Sequence, residues 1–212
     1  MTDSHTPEPA VYGVYLRPDV RTSMAVSTIT FHIERQFGLV SAGAYPPHAT
    51  LAGSVPMVAG DDAVVAALDP VLIGRSQFPV HNSGIVTRSV VAYDIDRLSD
   101  GTVNDPLRQL AIDVNAALAP LAVPLDGYLV KEFSAEHFNG HLSLASHELM
   151  VWPSRRPEID AFIREMDVTP STDFTAEHVS MYRFRSDDWS GHWWTSLTWE
   201  HVHTWDLREP GR

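Results

Sequence analysis

The chain has 212 residues, 44% hydrophobic and 20% charged, enough length and apolar content for one largish domain or two small lobes with a proper core. It contains no cysteine, which excludes disulfides, thiolate metal sites and a thiol nucleophile. Lys+Arg 15 against Asp+Glu 27 leaves a net charge of −12, so a long nucleic acid, held through cationic contacts to its phosphates, is a poor partner.

Met1 to Pro9 is polar with two prolines and no apolar run, which predicts a disordered start with neither a signal peptide nor a membrane span. The expectation is a soluble, cytoplasmic, monomeric protein that contacts no membrane. Ala10 to Leu16, rich in Val and Tyr and stopped by Pro18, reads as a first strand. From Thr22 to Phe37, the residues Val26, Ile29, Ile33 and Phe37 mark one helical face, with Gly38 placed as a C-terminal cap. Tyr45-Pro46-Pro47-His48-Ala49-Thr50-Leu51 follows as a strand, and Gly60-Asp61-Asp62 opens a short helix to Leu68. Phe78 to Ile95 carries β-branched runs broken near Asn82-Ser83-Gly84, which predicts strands joined by a turn.

The second half repeats this order. Asp105 is read as an N-cap with Pro106 in the first helical position, and Leu107, Leu110, Val114 and Leu118 form the buried stripe. A connection through Pro120, Pro124 and Gly127 leads to a second strand, Phe138-Asn139-Gly140-His141-Leu142-Ser143-Leu144, and then to a helix from Pro157 to Met166. Phe174 to Arg185 and Trp193 to Leu207 close the chain as two strands around a turn at Ser186 to Gly191. The duplicated order predicts an α+β fold of two lobes, about 17–95 and 104–207 with strand 10–16 shared. Two mostly antiparallel sheets would face a central cleft, with helices packed outside.

Both motif strands read His-x-(Thr or Ser)-apolar. In an extended strand alternate side chains share a face, so His48 with Thr50, and His141 with Ser143, project together. Two such strands side by side would surround one phosphate with two imidazoles and two hydroxyls. Histidine's ordinary pKa of about 6.5 lets one copy act as base while the other acts as acid, and hydroxyls can donate to the non-bridging oxygens. Each histidine alone would more simply be a packed strand residue. It is the paired hydroxyls and the matching flanks that favour a site. A third match, His178-Val179-Ser180-Met181, lacks those flanks and is assigned to structure or to the cleft wall.

Trp193, Leu197, Trp199, His201, His203 and Trp205 share one parity in the closing segment, giving an aromatic face suited either to core packing or to stacking on a nucleobase. Trp199 and His201 are the substrate-binding candidates there, together with Tyr182, Arg183 and Arg185 on the preceding strand. Other local cations are Lys131, Arg155 and Arg156. A metal site at His201 and His203 with Asp187 and Asp188 is the weakest reading, because the spacing fits no strong zinc signature, so no metal and no cofactor is expected.

The paired motifs in a duplicated chain resemble the 2H phosphoesterase superfamily, which includes the RNA 2',5'-ligase-like proteins and cyclic nucleotide phosphodiesterases. The likeness runs from about Tyr12 to Leu207 and includes Phe174, Val179, Tyr182 and the late Trp205-Asp206-Leu207. It implies a metal-independent hydrolase of a 2',3'-cyclic phosphate, a 2',5' linkage or a related cyclic nucleotide, with a small nucleotide or an RNA-terminal phosphate as substrate. A nucleotide-binding module on the same fold without turnover, and a histidine-ligated metal hydrolase, are the alternatives.

Overall fold

The computed structural model describes residues 9–125 and 133–209. Lys131, Gly127 and the polar start before Pro9 therefore lie outside the described residues.

The order is β1 (Ala10–Leu16), α1 (Val20–Phe37), β2 (Ala49–Met57), α2 (Asp61–Leu72), β3 (Phe78–His81), β4 (Ile85–Thr87), β5 (Val91–Asp94), α3 (Asp105–Leu118), β6 (His141–Ala145), α4 (Glu148–Val151), α5 (Arg156–Glu165), β7 (Asp173–Ala176), β8 (His178–Arg185) and β9 (Thr198–Asp206). Seven strands form one antiparallel sheet in the order β4-β5-β6-β2-β1-β8-β9, while β3 and β7 pair as a small second sheet. The α+β, mostly antiparallel architecture is as expected. The two halves are joined through the large sheet, where β2 and β6 lie side by side.

Local chemistry explains most boundaries. The Asp19 side chain caps α1 by accepting from Thr22 N, and Gly38 ends it at φ 70°, where its N–H donates to Glu34 O. Asn104, and not Asp105, caps α3: its Oδ1 accepts from Leu107 N, which shifts the expected helix start by one residue. Helix α2 runs past Leu68 and through Pro70 to Leu72, since a proline this near the end costs little of the ladder. The closing segments are shorter than their parity suggested. Phe174 to Arg185 breaks at Glu177 into β7 and β8, and Trp193–Thr195 forms a 3-10 turn outside β9.

The helices cover one face of the sheet. Val14 and Leu16, Ala49 and Leu51, Leu142 and Leu144, and Val179 and Met181 all point there, into a core shared with Val26, Ile29 and Ile33 of α1 and Leu107, Leu110 and Val114 of α3. The opposite face carries a small aromatic cluster of Val11, Tyr15, Tyr182 and Phe184. Gly13 makes that cluster possible. A Cβ there would lie 2.4 Å from the Tyr15 hydroxyl and 2.8 Å from Phe184, so the missing side chain is the space the Tyr15 ring occupies.

The seam between the two halves is thin. Ala49 and Leu142 are the registered pair joining β2 to β6, while β1 pairs with β8 over six positions. Beneath this seam Asn115 of α3 donates its Nδ2 to Leu51 O at 2.8 Å.

Candidate active site

The Ala49–Leu142 pair sets the site. Both side chains face the helix-covered core, so the flanking His48, Thr50, His141 and Ser143 emerge together on the other face. Continuing the antiparallel register sets His48 across from Ser143 and Thr50 across from His141. The two imidazoles thus lie on one diagonal of a quadrilateral and the two hydroxyls on the other.

Both imidazoles are anchored by the same device. His48 Nδ1 lies 2.7 Å from Pro46 O, and His141 Nδ1 lies 2.8 Å from Asn139 O, in each case the carbonyl two residues earlier. A carbonyl only accepts, so Nδ1 carries the hydrogen and donates it. In the neutral ring Nε2 then presents a bare lone pair to the pocket. The approach to each histidine differs. Pro46-Pro47 restricts the first to extended backbone, whereas in the second Gly140 passes so close to α3 that a Cβ would meet Leu107 Cδ2 at 2.7 Å.

His48 is half-buried against aromatic rings, with the Tyr15 centroid at 4.0 Å and Tyr45 at 5.4 Å. Removal of its ring from water, reinforced by the charge of nearby His141, pushes its pKa down to about 4 against the pull of the Pro46 carbonyl. His48 is therefore neutral at physiological pH.

The four motif side chains line a cavity of about 300 Å³. Its remaining wall includes Tyr15, Tyr45, Ser54, Ser146, His147 and Trp193. His147 packs edge-on to Trp193 at 4.7 Å and stacks on Trp194 at 5.3 Å, and burial lowers its pKa. Behind it Glu148 is buried and accepts from Val40 N at 2.7 Å, from Ser41 N at 2.8 Å and from the Ser41 hydroxyl. This latch ties α4 of the second half to the loop before β2 in the first. Among the described residues, no Lys, Arg, Asp or Glu lines the cavity.

The five substrate-binding candidates fall outside this wall. Tyr182 belongs to the layer behind it, 5.9 Å from Tyr15. Arg183 points to the helix-covered face, where it pairs with Asp61 at 2.9 Å and with Glu200, and Tyr12 donates to the same Asp61. Arg185 is exposed at the strand end, 3.7 Å from Glu200. Arg155 and Arg156 donate to the carbonyls of Phe37 and Leu149. Trp199 and His201 pack against Tyr182 without lining the cavity, and Trp199 Nε1 donates to Ala44 O in the loop ahead of β2. The single aromatic face expected for the closing strand is broken by a bulge at Val202: Tyr182 opposes His201, but Met181 opposes His203. His201 therefore shares the pocket-side face, whereas His203 and Trp205 face the helices, with Trp205 Nε1 donating to Asp69. This separation breaks up the His201–His203 metal reading, and no cluster of three potential ligands occurs among the described residues. His178 of the third motif pairs with Asp206 at the start of β8, two strands across the sheet from β2, and does not line the cavity.

Tyr15, Tyr45, Ser54, Ser146, His147 and Trp193 are among the wall residues that the sequence did not single out as site residues. Tyr45 opens the first motif segment and His147 follows the second within six residues, a proximity that could have marked both.

No family model and no curated protein matches the sequence. Solved structures do match. Escherichia coli LigT complexed with 3'-AMP aligns at 14% identity and TM-score 0.52, covering 94% of this chain and 99% of that one. LigT complexed with NADP+ gives 14% identity and 0.54 with the same coverage, and TT0787 of Thermus thermophilus gives 12% and 0.56, again over 94% and 99%. Over nearly its whole length, the chain has the fold of LigT and TT0787, the architecture that its resemblance to the 2H phosphoesterases implies.

Proposed function

We propose that this chain is a metal-independent phosphodiesterase acting on a cyclic phosphate or a 2',5'-linked small nucleotide. The observation that carries the proposal is the pair of imidazoles at adjacent strands, each fixed through Nδ1 to the carbonyl two residues back, with both residues lining one cavity. Solved complexes of the similar LigT with 3'-AMP, ATP, NADP+ and phosphate support a small nucleotide as ligand.

In this reading neutral His48 is the base. Its Nε2 takes a proton from water as the water oxygen bonds to phosphorus. The bond from phosphorus to the ribose oxygen breaks, and His141 delivers its Nε2 proton to that oxygen, so proton and leaving group balance. Thr50 and Ser143 donate to the non-bridging oxygens as charge accumulates on them. The test is a hydrolysis assay over 2',3'-cyclic, 3',5'-cyclic and 2',5'-linked nucleotides, with chelator present. Turnover of at least one class, lost in His48→Ala and in His141→Ala, is the expected result. Binding without turnover would make the chain a nucleotide-binding module instead, and turnover that chelator abolishes and a divalent metal restores would overturn metal independence.

A further inference from the structure

The cavity offers imidazoles and hydroxyls to a phosphate but, among the described residues, no fixed cation. Arg88 is paired with Asp94 at 2.9 Å, and Arg183, on the helix-covered face, with Asp61 and Glu200. The titratable groups facing the cavity are Tyr15 of β1, Tyr45 and His48 ahead of β2, His141 of β6 and His147 ahead of α4, and the Glu148 carboxylate beyond them is satisfied by Val40 and Ser41. Such a lining meets a phosphate through hydrogen bonds from its hydroxyls and imidazoles, without a guanidinium or ammonium of permanent charge among the described residues. A second charge, taken from water into a pocket walled by Tyr15, Tyr45 and Trp193, meets no fixed cation among the described residues to offset its desolvation.

Resting on the reading of the cavity as a phosphoester site, we propose that it selects substrate by charge, accepting the monoanion of a phosphodiester and rejecting the dianion of a phosphomonoester. The product of diester hydrolysis is such a dianion once the pH exceeds its second pKa of about 6. Hydrolysis thus converts a ligand that fits into one the site repels, and product leaves without a conformational step to expel it.

The experiment compares 2'-deoxyadenosine 3'-phosphate with its methyl phosphodiester by calorimetric titration, a pair differing by one methyl group and one charge, with no 2'-hydroxyl to attack the phosphorus. At pH 7.5 the diester should bind at least about tenfold more tightly, and the gap should close as the pH falls through about 6, where the monoester gains its proton. The diester's own pH dependence reports the histidines, so the ratio isolates ligand charge. Ser54→Lys, which brings an ammonium to the wall, should recover monoester binding at pH 7.5. Equal affinities at pH 7.5, a gap independent of pH, or no binding of either ligand overturns charge selection. Charge-selective binding without hydrolysis of any diester would overturn the proposed enzyme and leave the charge selection standing.

Discussion

At the scale of single residues, the two histidines have one anchoring geometry but different surroundings. His48→Ala and His141→Ala should each remove most turnover, and the double variant should be scarcely worse than either, because neither half of the proton transfer is useful alone. Steady-state rates of the three variants check this. Thr50→Ala and Ser143→Ala should be milder, costing roughly ten- to a thousand-fold in kcat. His48 also makes a prediction about pH. As the base of the free enzyme, it should place the acid limb of kcat/KM below the usual histidine range, toward its pKa of about 4. The same shift acts on stability. The unfolded chain takes up a proton at about 6.5 and the folded chain only near 4, so stability is intact above pH 6.5 and falls as the pH drops through that window. The loss should be on the order of 1–2 kcal/mol, allowing for solvent at the half-exposed ring. Thermal melts from pH 7 to 4 should show a shallower decline in His48→Ala. The motif residues were legible in the sequence because strand parity places histidine and hydroxyl together whatever the partner strand. The wall residues Tyr45, His147 and Trp193 were not, since they reach the cavity from loops whose course no periodicity encodes.

At the scale of elements, the helices were readable from their apolar stripes, and Leu107, Leu110, Val114 and Leu118 are all buried as the spacing requires. The closing strand was not. One extra residue at Val202 inverts every side chain beyond it, and a bulge leaves no signature in a run where both faces carry polar and aromatic residues. That inversion separates the outcomes of two changes. His203→Ala should act on packing beneath Trp205, 4.5 Å away, and be read as a lowered Tm with kcat retained, whereas His201→Ala removes a contact to the layer behind the cavity. In β1 the decisive position is Gly13. Gly13→Ala must displace the Tyr15 ring or Phe184, and because Tyr15 packs on His48 the loss should appear in activity as well as in Tm. A variant with unchanged kcat and unchanged melting would show that Tyr15 does not position the base.

At the scale of the whole molecule, the joining of the first and second halves of the chain depends on contacts between residues about a hundred positions apart. Glu148 is one such contact, with three hydrogen bonds to Val40 and Ser41. Glu148→Ala should cost roughly 2–3 kcal/mol in denaturant unfolding, because it strands two backbone N–H groups in the interior. The net charge of −12 cannot draw an anionic substrate, so kcat/KM for a mononucleotide should change little between low and moderate salt. A steep salt dependence, or tight salt-sensitive binding of long RNA, would demand a basic surface. The thin seam between β2 and β6 has a mechanical consequence. A sheet resists in-plane deformation through its ladder, and here the ladder is sparsest where the two imidazoles must keep their spacing, so that spacing is set from below, by Asn115 and the packed leucines, rather than by the strands themselves. The sheet therefore behaves as two stiff plates on a compliant joint. Amides of β1 and β8 should exchange with solvent slowest and those bordering the joint sooner, and the distance between the two imidazoles can adjust without breaking either plate.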